Sequence, residues 1–230
     1  MTAQHDVRGD VAVLIPAAGA GVRLGAGIPK ALCLLAGESL LVHAVRRVVA
    51  APSVGFVVVA APPDHPDAIG ELAGPVKVVA GGPTRQASVA AALAAVPDRF
   101  GIILIHDAAR ALAPTALVES VAAAVRAGAD AVIPVLPVVD TIKAVNAFGQ
   151  VVGTVDRAVL RAVQTPQGFR REVLAAAHAA ALDEHTDDAG MVEKLGVPVH
   201  TVPGDAAALK ITRPVDLLIA EALLARTLAS

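Results

Sequence analysis

Val11 to Lys30 reads VAVLIPAAGAGVRLGAGIPK. An apolar, β-branched run, Val11 to Ile15, stops at Pro16. It gives way to a small-residue loop with Gly19, Gly21 and Gly25 and two cations, Arg23 and Lys30. A strand that ends in a Gly-rich turn exposes a row of backbone N–H groups, and such a row binds phosphate. The two cations point further, to a site that stabilises charge on a reacting phosphate. Two common phosphate loops do not fit. A Walker loop needs Gly-Lys-Ser/Thr, whereas Lys30 sits between Pro29 and Ala31. A dinucleotide fingerprint needs G-x-G-x-x-G opening a helix and an acid after the next strand. Here the last glycine comes one residue late, and Arg23 intrudes where backbone should approach a pyrophosphate. The next apolar run, Phe56 to Ala60, meets Ala61-Pro62-Pro63 before Asp64 appears. A dinucleotide oxidoreductase stays open as a rival, and so does a loop that is Gly-rich only because it turns tightly.

Outward from this stretch, short apolar runs alternate with helical patterns. Ser39–Ala51 reads as a helix with Ser39 as N-cap, and Arg85–Val96 as another capped by Thr84. Thr115–Ala127, Arg171–Asp183, Asp187–Leu195 and a segment starting at Pro214 complete the helices, with Pro214 at the first helical position. Strands are expected at Phe56–Ala60, Val76–Ala80, Gly101–Ile105, Ala131–Val135, Leu160–Gln164 and Val197–Val202. Such alternation implies an α/β fold, Rossmann-like, with a mostly parallel central sheet flanked by helices. Ligands of that class gather at the carboxyl ends of strands. The Gly-rich loop, Gly81-Gly82 and His106-Asp107 all fall there. Val138–Val145 and Gln150–Val155 break the pattern. They flank Asn146-Ala147-Phe148-Gly149 and read as a protruding β-hairpin arm, at about residues 137–159. With no repeat and no linker, the chain reads as a single domain over residues 1–230.

Composition narrows the class. The chain has 230 residues, net charge -2, 55% hydrophobic residues and 2% aromatics without Trp or Tyr. Nucleic-acid surfaces want basic stripes and stacking rings, so a nucleic-acid partner is not expected. The longest uncharged run, Val48 to Pro63, is broken by Pro52 and Pro62 and is too short to span a bilayer. The opening MTAQHDVRGD lacks a signal-peptide apolar core. Cys33 is the only cysteine, which favours a cytoplasmic address.

Four further clusters carry candidate chemistry. Asp107, in HDAAR, stands where one carboxylate could bind Mg²⁺ together with substrate phosphates; it could equally cap a turn. Gly82 and Ser88, in GGPTRQASV, could close over a base or simply connect strand to helix. Thr141 (DTIK) and Arg157 (TVDR) lie on opposite arms of the hairpin, where a solvated charged ribbon is the plainer reading. Lys210, in LKITRPVDL, taken singly is a surface lysine.

Taken together, in this order, PAAGAGVRLGAGIPK, GGPTRQASV, HDAAR, DTIK, TVDR, QTPQGF, TDDAG and LKITRPVDL resemble the 2-C-methyl-D-erythritol 4-phosphate cytidylyltransferase family of the non-mevalonate isoprenoid route. The resemblance spans essentially the whole chain. Ribitol-5-phosphate cytidylyltransferases share part of the order and are the runner-up; a nucleotide-binding module without turnover is a third reading. The resemblance implies that the phosphate of methylerythritol phosphate attacks the α-phosphorus of CTP and pyrophosphate leaves. A phosphate monoester is mostly a dianion at neutral pH, its second pKa being about 6, so no general base is required. The work is to offset repulsion between anions and align them.

By the same resemblance, Arg23 and Lys30 would stabilise the reacting α-phosphate. Ala17, Ala18 and Gly19 would offer backbone groups to CTP. Gly82 and Ser88 would contact the cytosine region, and Asp107 would bind Mg²⁺ and ribose. Thr141, Arg157 and Lys210 would hold the acceptor phosphate, and the arm would reach into a partner subunit of a homodimer. Pro83, Ala111 and Gly190 depart from the residues common in the family at those places, without removing a proposed catalytic group.

Overall fold

A computed structural model describes residues 9–19, 29–62, 74–181, 183, 185 and 187–228. Strand β1 (Val11–Pro16) lies inside the main sheet, paired on both edges, and Val11 to Ile15 are wholly buried. Successive side chains of a strand point to opposite faces, so a strand buried on both faces is a continuous apolar run. Val11, Val13 and Ile15 enter one core layer, while Ala12 and Leu14 enter the other.

Near the site a two-residue pair, β2 (Leu34–Leu35) and β3 (Glu38–Ser39), turns the chain into α1 (Leu40–Val49). The Ser39 side chain accepts the Val42 amide, the capping its position predicts. Next come β4 (Val54–Ala61), β5 (Val76–Ala80), α2 (Arg85–Ala94), β6 (Ile102–Ile105), α3 (Thr115–Arg126) and β7 (Ala131–Pro137). Thr84 caps α2 by accepting the Ala87 amide. The arm consists of β8 (Ile142–Val145) and β9 (Val151–Val155), paired with each other and with no other strand among the described residues. Its turn is closed by Asn146, whose Oδ1 accepts the Phe148 and Gln150 amides. After the arm follow β10 (Arg161–Val163), β11 (Gln167–Arg170), α4 (Arg171–Ala180), α5 (Asp188–Lys194), β12 (Val199–Pro203) and α6 (Pro214–Leu228).

The main sheet runs β10-β7-β11-β6-β1-β4-β5, with β12 paired to β7. β1, β4, β5 and β6 pair in parallel, as do β7 and β12. β11 runs antiparallel to both β6 and β7, and β10 antiparallel to β7. Helices α1 and α3 cover one face, with Leu41, Val45, Val48, Val118 and Val121 in the layer. Helices α2, α4 and α5 cover the other, with Val89, Leu93, Leu174 and Val192 against Leu14, Ile103 and Phe169. The expected mostly parallel α/β sheet is therefore present, with helix and strand ends shifted by a few residues.

The short β2–β3 pair is not expected from the sequence pattern; within the main sheet, β11 is the strand that pattern does not announce. Its sequence, QGFR, is short and carries a glycine, which weakens a strand signal. The glycine is needed for contact: a Cβ at Gly168 would lie 2.6 Å from Val121 Cγ1 and 2.9 Å from Leu104 Cδ2. Helix α3 sits this close to the sheet only because that side chain is missing.

Candidate active site

The carboxyl ends of β1, β5 and β6 open into one cleft of about 310 Å³. Pro16 to Gly19 form one wall, Gly82 to Arg85 with Ser88 a second, and Asp107 to Ala109 the floor. Lys30, Ala31 and Lys210 complete the lining. Sheet bonding continues one residue past the strands: Ala17 N donates to Ala60 O, Gly81 N to Ala61 O and His106 N to Leu14 O. The Ala17 amide is therefore spent inside the sheet, and Ala17 faces the cleft with its remaining groups. The β5–α2 turn presses on the first wall. A Cβ at Gly81 would stand 2.3 Å from Ala18 Cβ, so a side chain there would displace the loop. Ser88 is buried, and its hydroxyl accepts the Gly82 amide at 3.1 Å and donates to Thr84 O at 2.9 Å. Ser88 thus sets the shape of the Gly82 turn.

Asp107 is the acid of this cleft. Lys210 Nζ lies 2.7 Å from its Oδ2 and Arg85 Nε 3.5 Å from its Oδ1. Its amide donates to Thr165 Oγ1 at 3.0 Å, and the same hydroxyl pairs with His106 Nδ1 at 3.2 Å. Burial by itself would raise the Asp107 pKa, but Arg85, Lys210 and Arg110 outweigh it and hold the carboxyl well below its ordinary range. His106 goes the other way: burial, aided by Arg110 and opposed by Asp107, pushes it down to about 4. At neutral pH the Asp107 carboxylate on the floor is therefore charged, while the wholly buried His106 next to it in the chain is neutral.

Lys210 arrives from a distant part of the chain, and two stitches hold it. Arg110 donates to Ala208 O at 2.7 Å and to Val163 O at 3.0 Å, and Ile211 N donates to Ala109 O at 2.9 Å. Arg110 therefore fastens the loops around the site with both terminal nitrogens on carbonyls. Asp216 Oδ2 then accepts from the Thr212 and Arg213 amides and the Thr212 hydroxyl, fixing the turn into α6.

Of the sequence-predicted residues, Ala17, Ala18, Gly19, Lys30, Gly82, Ser88, Asp107 and Lys210 line this one cleft. Arg23 lies outside the described residues. Thr141 and Arg157 do not line the cleft of their own chain; both are exposed at the base of the arm, and Arg157 Nη1 donates to Val139 O. The sequence reading assigns no role to Arg85, although it lines the cleft and touches its acid. The signal was the arginine in GGPTR, but only the fold brings it to Asp107, and to Asp188 of TDDAG at 2.6 Å. Among the described residues three cations, Lys30, Arg85 and Lys210, share the cleft with one carboxylate, so it suits a polyanion.

A sequence model of the family described as 2-C-methyl-D-erythritol 4-phosphate cytidylyltransferase (IspD) matches residues 11–226. The chain belongs to that family. It is 56% identical over 217 residues to the 2-C-methyl-D-erythritol 4-phosphate cytidylyltransferase of Frankia casuarinae, an alignment covering 94% of this chain and 82% of that one. The cytidylyltransferase of Saccharopolyspora erythraea is 56% identical over 223 residues, 94% of this chain and 99% of its own. Among solved structures, the 2-C-methyl-D-erythritol 4-phosphate cytidylyltransferase from Thermus thermophilus superposes with a TM-score of 0.79 at 41% identity. That match covers 93% of this chain and 98% of the other. Membership makes the chain a nucleotidyl-transferring enzyme with the cytidylyltransferase fold. Family model and relatives alike carry methylerythritol phosphate in their names, so the ribitol phosphate and oxidoreductase readings are not favoured.

Proposed function

We propose that this cleft transfers a cytidylyl group from CTP to 2-C-methyl-D-erythritol 4-phosphate, giving 4-CDP-2-C-methyl-D-erythritol and pyrophosphate. The observation that carries this reading is a cleft at the carboxyl ends of β1, β5 and β6 in which Arg85 and Lys210 pair with Asp107 and which Lys30 also lines. A phosphate nucleophile brings its own negative charge, so the protein has anions to gather and no proton to remove. Lys30 and Arg23 stabilise charge on the α-phosphate as it becomes crowded. Ala17, Ala18 and Gly19 meet the nucleotide through backbone. The turn that Ser88 holds at Gly82 lies beside the base, where a fixed carbonyl accepts from the cytosine amine and rejects the uracil carbonyl. Lys210 holds the acceptor phosphate. Asp107 also meets the ribose.

Mg²⁺ is the expected metal. No group of three His, Cys, Asp or Glu side chains gathers among the described residues. One hard oxygen donor from Asp107 fits an ion that takes few protein ligands and the rest from phosphates and water. When bound, it would neutralise charge on the triphosphate and the departing pyrophosphate. Asp107 is kept ionised by Arg85, Lys210 and Arg110.

Thr141 and Arg157 complete the acceptor site from a second copy, so the enzyme acts as a homodimer joined through the arm, each chain being one domain with that arm. The support is the arm itself: Phe148, Val151 and Val152 are exposed on a two-stranded ribbon that is marginal alone in water. We place the enzyme in the cytoplasm. Its single cysteine, Cys33, is buried, and no helix among the described residues is long and apolar enough to cross a membrane. The test is pyrophosphate release from CTP with each acceptor in turn. Release that depends on methylerythritol phosphate supports the assignment; a clear preference for ribitol 5-phosphate contradicts it.

A further inference from the structure

Asp188 opens α5 with its side chain fully shielded from solvent. An acid taken out of water is costly unless partners surround it. Here Arg85 Nη1 lies 2.6 Å from Oδ2 and His178 Nε2 lies 3.1 Å from Oδ1. Arg85 is the first residue of α2 and His178 stands near the end of α4, so one acid joins three helices. The start of α5 is pinned as well: Gln167 of β11 donates to Asp187 and accepts the Ala189 amide. A group whose only task was to pack three helices could be apolar at little cost to stability. The network, however, does not end at Asp188. The same Arg85 guanidinium reaches Asp107 in the cleft through Nε, at 3.5 Å. Burial disfavours the charge on Arg85, and the two acids more than offset it.

We propose that Arg85, locked by Asp188 and His178, is a positioning residue that fixes the direction in which Asp107 presents its carboxylate to CTP and Mg²⁺. This rests on the assignment of Asp107 to the nucleotide and its metal. Two cations grip Asp107 from different sides, Lys210 on Oδ2 and Arg85 on Oδ1. Lys210 is half-exposed on a loop, whereas Arg85 is braced against an enclosed acid. Only a planar fork with several N–H groups serves two acids at once; a lysine is a point charge on a flexible stem. Without Asp188, the Arg85 side chain can turn into the cleft and Asp107 follows Lys210 alone.

Calorimetric titration of the full chain with CTP and Mg²⁺ tests this through a double-mutant cycle, with unfolding curves recorded for every variant. Asp188→Asn is expected to weaken CTP·Mg²⁺ binding about tenfold in the parent, and less than about twofold when Asp107→Asn is already present. An equal loss in both backgrounds overturns the proposal and leaves a network that only packs helices. If Asp107→Asn alone leaves CTP·Mg²⁺ affinity unchanged, the assignment of Asp107 fails, and the proposal falls with it for that separate reason. Should Asp188→Asn not fold, Arg85→Lys keeps the charge and loses the second arm of the fork. It is then judged by the same cycle: loss only in the presence of Asp107 supports the proposal, and equal loss contradicts it.

Discussion

Asp107 and Phe148 mark two extremes of this chain. Asp107 lies on the floor of the cleft, tied to Lys210, Arg85 and Thr165 and 9% exposed. Phe148 stands 88% exposed at the tip of the arm. The cleft is assembled within one chain from residues far apart in sequence, and its polar groups hold one another. The arm satisfies its backbone through its own two strands and leaves its apolar side chains in water. The difference teaches where each kind of specificity is stored. What we propose binds the nucleotide is preorganised by one fold. What the arm contributes, in the proposed assignment of Thr141 and Arg157, needs a second surface to complete it.

The largest expected effect lies in the cleft. Lys30→Ala should lower kcat by about 10²–10³-fold while changing CTP affinity little, because its charge acts mostly as the α-phosphate becomes crowded. Steady-state rates beside calorimetry check this; equal losses in rate and affinity would make Lys30 a binding group only. Gly81→Ala should destabilise by about 1–3 kcal/mol and weaken CTP binding, because its Cβ would meet Ala18 Cβ at 2.3 Å. Urea unfolding and titration measure both, and no change in either would mean the first wall yields freely.

The floor also gives a pH signature. His106 has a folded pKa of about 4 against an ordinary 6.5. The unfolded chain binds that proton first, so stability drops as pH falls from about 6.5 to about 4, with a slope of up to about 1.4 kcal/mol per pH unit. Asp107, depressed below its ordinary range, adds a loss only at lower pH, as the carboxyl of the unfolded chain takes up a proton. Unfolding curves in metal-free buffer across this range, repeated with His106→Gln, should show the slope and its reduction. An unchanged slope in the variant would assign it to other groups. The smallest effect on the fold belongs to the arm. Phe148→Ser should alter the stability of a single chain by less than about 0.5 kcal/mol, yet shift the sedimentation profile toward monomer. A profile that stays dimeric would remove Phe148 from the contact.

Much of this contrast can be read in the sequence, for physical reasons. The apolar run before Pro16, the caps at Ser39 and Thr84, and Asn146-Ala147-Phe148-Gly149 are local signals, and each appears where its chemistry places it. Lys30, Gly82, Asp107 and Lys210 could be singled out because strand ends and motif order mark them. What stayed hidden depends on contacts across the fold. The strand at Gln167–Arg170 is made by its pairing with β6 and β7, and Gly168 leaves room for Val121 above it. Arg85 acquires its meaning only when α2, α5 and β6 meet. Arg110, in HDAAR, bonds both terminal nitrogens to carbonyls that shape the Lys210 loop. No local pattern carries such pairings.

The proposed division between a nucleotide cleft built by one chain and an arm that completes its neighbour's acceptor site is tested most directly by subunit complementation. Lys30→Ala and Arg157→Ala chains are prepared separately, each inactive, then mixed and allowed to exchange. With the arm acting across the dimer, half of the sites in each mixed dimer are intact, and random pairing restores about a quarter of the parent rate. A mixture that forms mixed dimers and stays inactive would show that Arg157 serves its own chain, contradicting the account.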